Sequence, residues 1–348
     1  MFLGKINQSN NKKLILVLES IKCGGIDELI TNLFSLDNKN RGLLSSQSDF
    51  SSTKLDFLLY RITRPITSSP DISNCFKGLS FTESLLKSES STFIIDVCKY
   101  NYAKISQNIA QLLPSPHVGK PYNIRKCYHR HLQEGINADA VSGWLLYASF
   151  YYVIGQYNVT LTVADYVLSK FTPNMVLLNC IFYGREKIDY YRQNVHSAMT
   201  LKEKIKSATV GYIWYMKHSS LIPKELQLEV EDADISIPPV VMSHCLRFLC
   251  YHHLDDIFNR QQALRELHNT IKYRYFIARN SLSCALTILG VCYEISGDKD
   301  IAYRCYDQAV CSNEKCHTAE KKGDANCLKP YTIFIVDKVL LTSPPNGL

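Results

Sequence analysis

Three groups of cysteine and histidine stand close together in this sequence: Cys127, His129 and His131; Cys250, His252 and His253; and Cys305, Cys311, Cys316, His317 and Cys327. Thiolates and imidazoles are zinc ligands, and a structural site needs four of them to converge, commonly as C-x2-4-C and H-x3-5-H pairs. The first two groups lack a second pair at such spacing, and neighbours along a helix point to different sides. The third gathers five such residues in one short segment, which favours it over the others, but its gaps match no zinc pattern. These residues are therefore expected in packing or at the surface, with no metal and no cofactor. Cysteine and histidine can also form a nucleophilic pair from distant positions, but no local signature points to one. The acidic pairs Asp232 with Asp234 and Asp298 with Asp300 would serve nucleotide chemistry through two metal ions only behind a phosphate-holding loop, and none precedes them. Gly24-Gly25 lacks the spacing of such a loop and reads as a helix end and restart. No catalytic residue is expected. Arg260, Arg265, Lys272, Arg274 and Arg279 gather near Tyr273, Tyr275 and Phe276, as at a nucleic-acid surface but also as on the solvated back of a helix. Asp255, Asp256 and Glu266 dilute the cluster, so the helix reading is preferred and nucleic acid is not expected as a partner.

The elements that position these residues follow from composition and periodicity. A chain of 348 residues exceeds the size at which one core usually stops growing, so two or three packed units are expected. With 46% hydrophobic and 20% charged residues it is an ordinary globular composition, and 15 glycines and 12 prolines leave room for long helices. The net charge of +7 is mild over this length and singles out neither nucleic acid nor membrane. No stretch approaches a membrane span. Lys12-Lys13 precede the apolar run Leu14 to Leu18, but Glu19 stops it short of a signal-peptide core, so a cytosolic protein is expected. The 13 cysteines lie largely within apolar helical patterns and read as reduced core thiols.

Residues 1–120 alternate short helical patterns with Ser- and Asn-rich breaks at 45–53 and 67–74. Ile94, Cys98, Tyr102, Ile105, Ile109 and Leu112 form one apolar stripe, predicting a helix over 92–113 that Pro114 and Pro116 end. Residues 121–219 form the next region, with a single helix expected over 196–218 carrying Ile205, Val210, Ile213 and Trp214. An acidic connector follows over 220–239, then helical hairpins over 240–319, then a tail over 320–348. The whole is predicted to be all-α.

Two segments match the tetratricopeptide pattern, in which large residues wedge two helices apart, small ones admit close approach and glycine opens the turn. In 144–173 these are Trp144, Tyr147, Ala148 and Tyr151, then Gly155 and Tyr157, then Thr160, Ala164 and Val167. In 286–309 they are Leu286, Leu289, Gly290 and Tyr293, then Gly297, then Ala302, Tyr306 and Ala309. Between them 240–271 reads as a further hairpin out of phase with both. The C-terminal half is thus expected to be α-solenoid-like, and such stacks bind other proteins on extended surfaces. Leu145, Ser149 and Tyr152 of one repeat and Thr287, Val291 and Glu294 of the other are the expected groove. It carries none of the basic residues or Asn that grip acidic tails.

The strings from Asp139 to Phe150, Ser220 to Val230 and Ser243 to Leu254 resemble the C-terminal helical tail of Mab-twenty-one-like proteins, a family expanded in bivalve molluscs; Leu286 to Ala309 resembles its terminal repeat. The likeness covers about 136–310. Full-length members carry, ahead of this tail, a nucleotidyltransferase core similar to that of cyclic GMP-AMP synthase, built on a Gly-Ser pair and paired acids. This sequence has no Gly-Ser dipeptide. The resemblance therefore implies a non-catalytic protein-interaction or scaffold module related to the tail. The alternative is a fragment of a nucleotidyltransferase-like innate immune receptor whose core lies outside this chain.

Overall fold

The computed structural model describes residues 71–89, 92–116, 121–172, 175–177 and 201–312. The expectations for 24–25, 45–53 and 320–348 lie outside these. Among the described residues the protein is mostly helical, and no helix is long and apolar enough to cross a membrane.

Helices α1 (Ile72–Ser88), α2 (Thr92–Leu112) and α3 (Pro121–Gly135) pack in sequence, each against the next. Asp71 starts α1 by accepting the amides of Ser73 and Asn74 (2.6 and 3.0 Å), which otherwise have no partner in a first turn. The stripe read on α2 divides by depth: Ile109 is buried with Cys75 and Leu79 of α1, while Tyr102, Ile105 and Leu112 pack around them half-covered.

Three further hairpins follow: α4 (Ser142–Val153) with α5 (Tyr157–Lys170), α6 (Pro239–His253) with α7 (Ile257–Lys272), and α8 (Leu282–Ser296) with α9 (Lys299–Cys311). Their first and second helices differ in kind. In α4, α6 and α8 most residues are buried on every face, as expected for largely apolar helices, which must be covered all round. In α5, α7 and α9 only one face is buried: Thr160, Ala164 and Val167; Ala263, Leu264, Leu267 and Ile271; Ala302, Cys305, Tyr306 and Ala309. α6 is central, lying against α4 and α5 on one side and α7 and α8 on the other. Pro238 and Pro239 open it, where a missing amide costs nothing.

Between the first and second of these hairpins lies an insertion of short strands and short helical turns. A helical turn (Leu201–Glu203) widens into a π-helix (Lys204–Ala208), and four short strands follow the pairing β1 (Val176–Leu177) parallel to β2 (Thr209–Val210) and β3 (Ile213–Tyr215) antiparallel to β4 (Ile235–Ile237). A 3-10 helix (Lys224–Val230) sits between β3 and β4. The single helix expected over 196–218 is therefore not formed at 209–218. Thr209, Val210 and Ile213 are β-branched, and each of their segments finds a strand partner elsewhere in the chain. The insertion is tied down at several points. Gln111 of α2 donates to the Trp214 carbonyl and accepts from the Met216 amide (both 2.9 Å), standing in for a neighbouring strand. Tyr128 of α3 shares a hydrogen bond with Ser220 (2.8 Å), and the Tyr212 hydroxyl accepts the Ala278 amide (2.8 Å). Residues 220–239, read as a connector, contribute Leu221, Leu226, Val230 and Ile237 to one continuous core running from Ala110 to Ala309.

Polar pairing inside this stack is concentrated at Arg247 of α6. Its guanidinium reaches Glu266 of α7 and, at 2.9 Å, Asp165 of α5, so one side chain joins two hairpins; His244 lies 3.4 Å from the same Glu266. Contact with His244, then with Gln262 and Arg247, outweighs burial and holds the Glu266 carboxyl down at about 2, below its usual 4.5. A carboxylate depressed in the folded state stabilises fully above its unfolded value and loses that contribution as pH falls through the folded value. Stability is therefore expected to decline between pH ~4.5 and ~2, and Glu266→Gln to flatten that part of the curve in urea titrations run across the range. Unchanged slopes would remove the clamp.

Of the described cysteines, Cys75, Cys98, Cys245, Cys250, Cys284, Cys292 and Cys305 are free and buried and Cys127 is free and exposed. Burial raises the Cys305 thiol to about 12. Cys311 is disulfide-bonded, so the expectation of reduced thiols fails at that residue.

Candidate interaction surface

The groove expected on the first helices is closed. Leu145, Ser149 and Tyr152 on α4 and Thr287 and Val291 on α8 are buried, and only Glu294 is half-exposed. Glu294 accepts from the Tyr306 hydroxyl of α9 (2.7 Å) and so serves its own hairpin. The occupant of the α4 side is the protein's own insertion. Ser149 donates to the Leu145 carbonyl and shares a 2.5 Å hydrogen bond with the fully buried Tyr215 of β3, whose hydroxyl must therefore be the donor. Tyr152 meets His253 Nε2 at 3.0 Å, and Glu225 of the 3-10 helix lies 3.5 Å from the same nitrogen. Burial, with the Glu225 carboxylate added, pushes the Tyr152 hydroxyl far above its ordinary range, so it acts as a neutral donor and acceptor. On α8 the covering elements are the 3-10 helix and β4. Ile213, Tyr215, Leu221, Leu226, Val230 and Ile237 of the insertion are fully buried. At ~1.5–3 kcal/mol for each such side chain, uncovering the face costs on the order of the stability of a whole domain.

The first two cysteine and histidine groups disperse in the same way; Cys316, His317 and Cys327 of the third lie outside the described residues. Cys250 points into the core, His252 Nδ1 meets Arg260 at 3.2 Å, and His253 joins Tyr152 and stacks on Tyr157 (4.7 Å, 6°). Cys127 is exposed, His129 meets the Tyr147 hydroxyl at 2.6 Å, and His131 is buried near Phe76. Among the described residues no three of His, Cys, Asp and Glu come together as metal ligands. The acidic pairs are at the surface, and Asp234 accepts the Lys217 amide (2.7 Å).

Large apolar side chains stand exposed at several places among the described residues, Phe81 of α1, Tyr122 of α3 and Tyr166 of α5 among them, and at both ends of α7. The three hairpin turns share one hydrogen-bond pattern. Gly155, Asp255 and Gly297 donate to the carbonyls of Tyr152, His252 and Glu294, and the next residues, Gln156, Asp256 and Asp298, donate to those of Tyr151, Tyr251 and Tyr293. This helix-ending motif needs a left-handed residue, normally glycine. Gly155 and Gly297 meet the need at φ 77° and 93°, whereas Asp255 adopts φ 54° with a side chain in place. Beside it Leu254, Ile257 and Phe258 are 42%, 61% and 74% exposed. At the far end of α7 Arg274 and Phe276 are also left-handed, at φ 51° and 54°, and Tyr273 and Tyr275 project into solvent while Phe276 rests on Phe171 (5.2 Å). Three of the four left-handed non-glycine residues among the described ones thus flank α7. Such backbone costs of order 1 kcal/mol or more each, is retained only where the surroundings impose it, and clusters at ligand-holding loops. The sequence reading singles out Tyr273, Tyr275 and Phe276 at one end, as a basic and aromatic cluster on the solvated back of a helix, and passes over the other end. Its accessible signal was Ile257-Phe258 at a helix start, directly after a polar turn.

No protein-family model matches this sequence, and comparison with curated proteins and with solved structures gives no match either.

Proposed function

We propose that this chain is a non-catalytic helical-repeat module that binds another protein through the exposed side chains at the ends of α7. The observation that carries the reading is the pairing of exposed large apolar residues with left-handed, non-glycine backbone at both ends of one helix. Contiguous exposed apolar surface marks interaction sites where isolated residues do not, and Leu254, Ile257 and Phe258 stand within one turn of each other. A tetratricopeptide-like arrangement is supported by the shared turn geometry of the three hairpins and by extensive contacts running between successive hairpins. Kinship with the tail of Mab-twenty-one-like proteins is part of the proposal: its three resembling strings fall on α4, the 3-10 helix and α6, the elements that build the core. The lack of a Gly-Ser dipeptide ahead of either acidic pair supports the non-catalytic reading.

The test is selection from a random-peptide display library on the immobilised chain. Ligands are expected whose affinity falls about 30-fold or more with Phe258→Asp, the loss of ~2 kcal/mol typical of an aromatic anchor, while Tyr303→Asp on α9 leaves it unchanged. Helix content by circular dichroism should be the same in both variants, since both side chains are exposed. Peptides indifferent to Phe258, or dinucleotide formed from ATP and GTP with Mg2+, would each defeat the reading.

A further inference from the structure

A crevice of about 440 Å³, to whose lining α7 contributes no residue, opens between α1, α2, the end of α3 and the helical turn that begins at Leu201. Its volume is within the range of small-molecule sites. Tyr100 and Ile205, both buried, and the half-buried Leu86 give it an apolar lining. Around them stand three carboxylates, Glu83, Asp96 and Glu134, and three ammonium groups, Lys99, Lys202 and Lys206. The charges are divided by element. Glu83 comes from α1 and Glu134 from α3, and both act on one hydroxyl: Tyr102 donates to Glu83 (3.3 Å) and is pushed up, after burial, by Glu83 and then Glu134. Lys202 and Lys206 are one turn apart on the segment after Leu201 and so face one way. Asp96 and Lys99 are 4.0 Å apart on α2 itself. Among the described residues no ion pair joins Glu83 or Glu134 to Lys202 or Lys206.

We infer that this crevice binds a small zwitterion, an α-amino acid with an apolar side chain, its ammonium toward Glu83 and Glu134 and its carboxylate toward Lys202 and Lys206. A simple anion would meet three carboxylates in the same lining and a simple cation three ammoniums, so neither gains from the whole site. A molecule that carries both charges a few ångströms apart gains from both walls, and the Tyr100, Ile205 and Leu86 surface takes its side chain. Asn137 adds an amide able to donate or accept at the rim.

The experiment uses the full chain at low ionic strength, because exposed charge pairs are screened by salt. Leucine, phenylalanine and glycine, together with N-acetyl-leucine and leucinamide, are titrated by ligand-observed NMR. Leucine and phenylalanine are expected to bind, with glycine, N-acetyl-leucine and leucinamide each about five- to tenfold weaker, the loss expected for one or two exposed charge pairs or a small apolar contact. The variant Lys202→Met/Lys206→Met should weaken leucine by a similar factor and leave leucinamide unchanged, because leucinamide has no carboxylate to lose. Glu83→Gln/Glu134→Gln should do the same to leucine and spare N-acetyl-leucine. All four side chains are exposed, so the variants should keep the wild-type circular dichroism. The inference is overturned if N-acetyl-leucine or leucinamide binds as well as leucine, or if no amino acid binds at 10 mM or below (on the order of −3 kcal/mol or weaker).

Discussion

Gly290→Leu is expected to lower unfolding free energy by ~1–3 kcal/mol or more, the usual result of forcing volume into a packed interior. A Cβ at Gly290 would stand 2.5 Å from Cε1 and 2.8 Å from Cδ1 of Tyr306, closer than real Cβ contacts allow. The ring cannot swing aside cheaply. It is buried between α8 and α9, and its hydroxyl is tied to Glu294 at 2.7 Å. Even Gly290→Ala should therefore cost measurable stability, although alanine is the better helix former. Urea unfolding of Gly290→Leu, Tyr306→Ala and the double variant checks the geometry directly. The two changes should couple, the double variant being less destabilised than the sum, because leucine fills the space that the tyrosine vacates. Additive effects, or a stable Gly290→Leu, would show that α8 and α9 do not approach closely, and the hairpin reading of 286–309 would fail with them.

The sequence made all three hairpins legible as helix pairs but hid the repeat phase of the middle one, for identifiable reasons. Seven residues before the left-handed turn residue stand Ala148, Phe248 and Gly290; four before it stand Tyr151, Tyr251 and Tyr293. The middle hairpin keeps the tyrosine and the turn, but Phe248 replaces the small residue and Asp255 the glycine. Pattern matching on residue type loses it, although backbone hydrogen bonding repeats it. The helix over 92–113 was readable because a stripe at helical spacing needs only local information. The strands at 209–215 were not, since Ile205, Val210 and Ile213 also suit a helix and their partners are distant in sequence. The groove failed for a related cause. Periodicity marks which face of α4 and α8 is apolar, but not whether another protein or the same chain covers it. At α7 the aromatic and basic cluster around Tyr273 was visible, but left-handed φ at Asp255, Arg274 and Phe276 has no signature in residue type, so the two ends were not linked.

That the insertion is part of the core, and no removable lid, has its own expected result. Tyr215→Ala should cost ~3–5 kcal/mol, as large aromatic truncations in a core do, and the loss should appear as a lower urea midpoint of a single cooperative transition. Tyr215 is fully buried, and its hydroxyl donates to Ser149, which is itself committed to the Leu145 carbonyl. Tyr215→Phe should consequently cost only ~1 kcal/mol, because Ser149 keeps a partner and only one hydrogen bond is lost. The contrast between the two variants separates packing from polar anchoring. A lid would behave differently. With weak attachment, Tyr215→Ala would leave the global midpoint in place and merely speed amide exchange across 209–237, exposing Leu145, Tyr152 and Val291. If that pattern were found, the inner face of α4 and α8 would return as a binding surface in competition with α7. With the whole fold weakened together, the covering strands and 3-10 helix are as much a part of the stack as the helices beneath them, and partners must be met from outside.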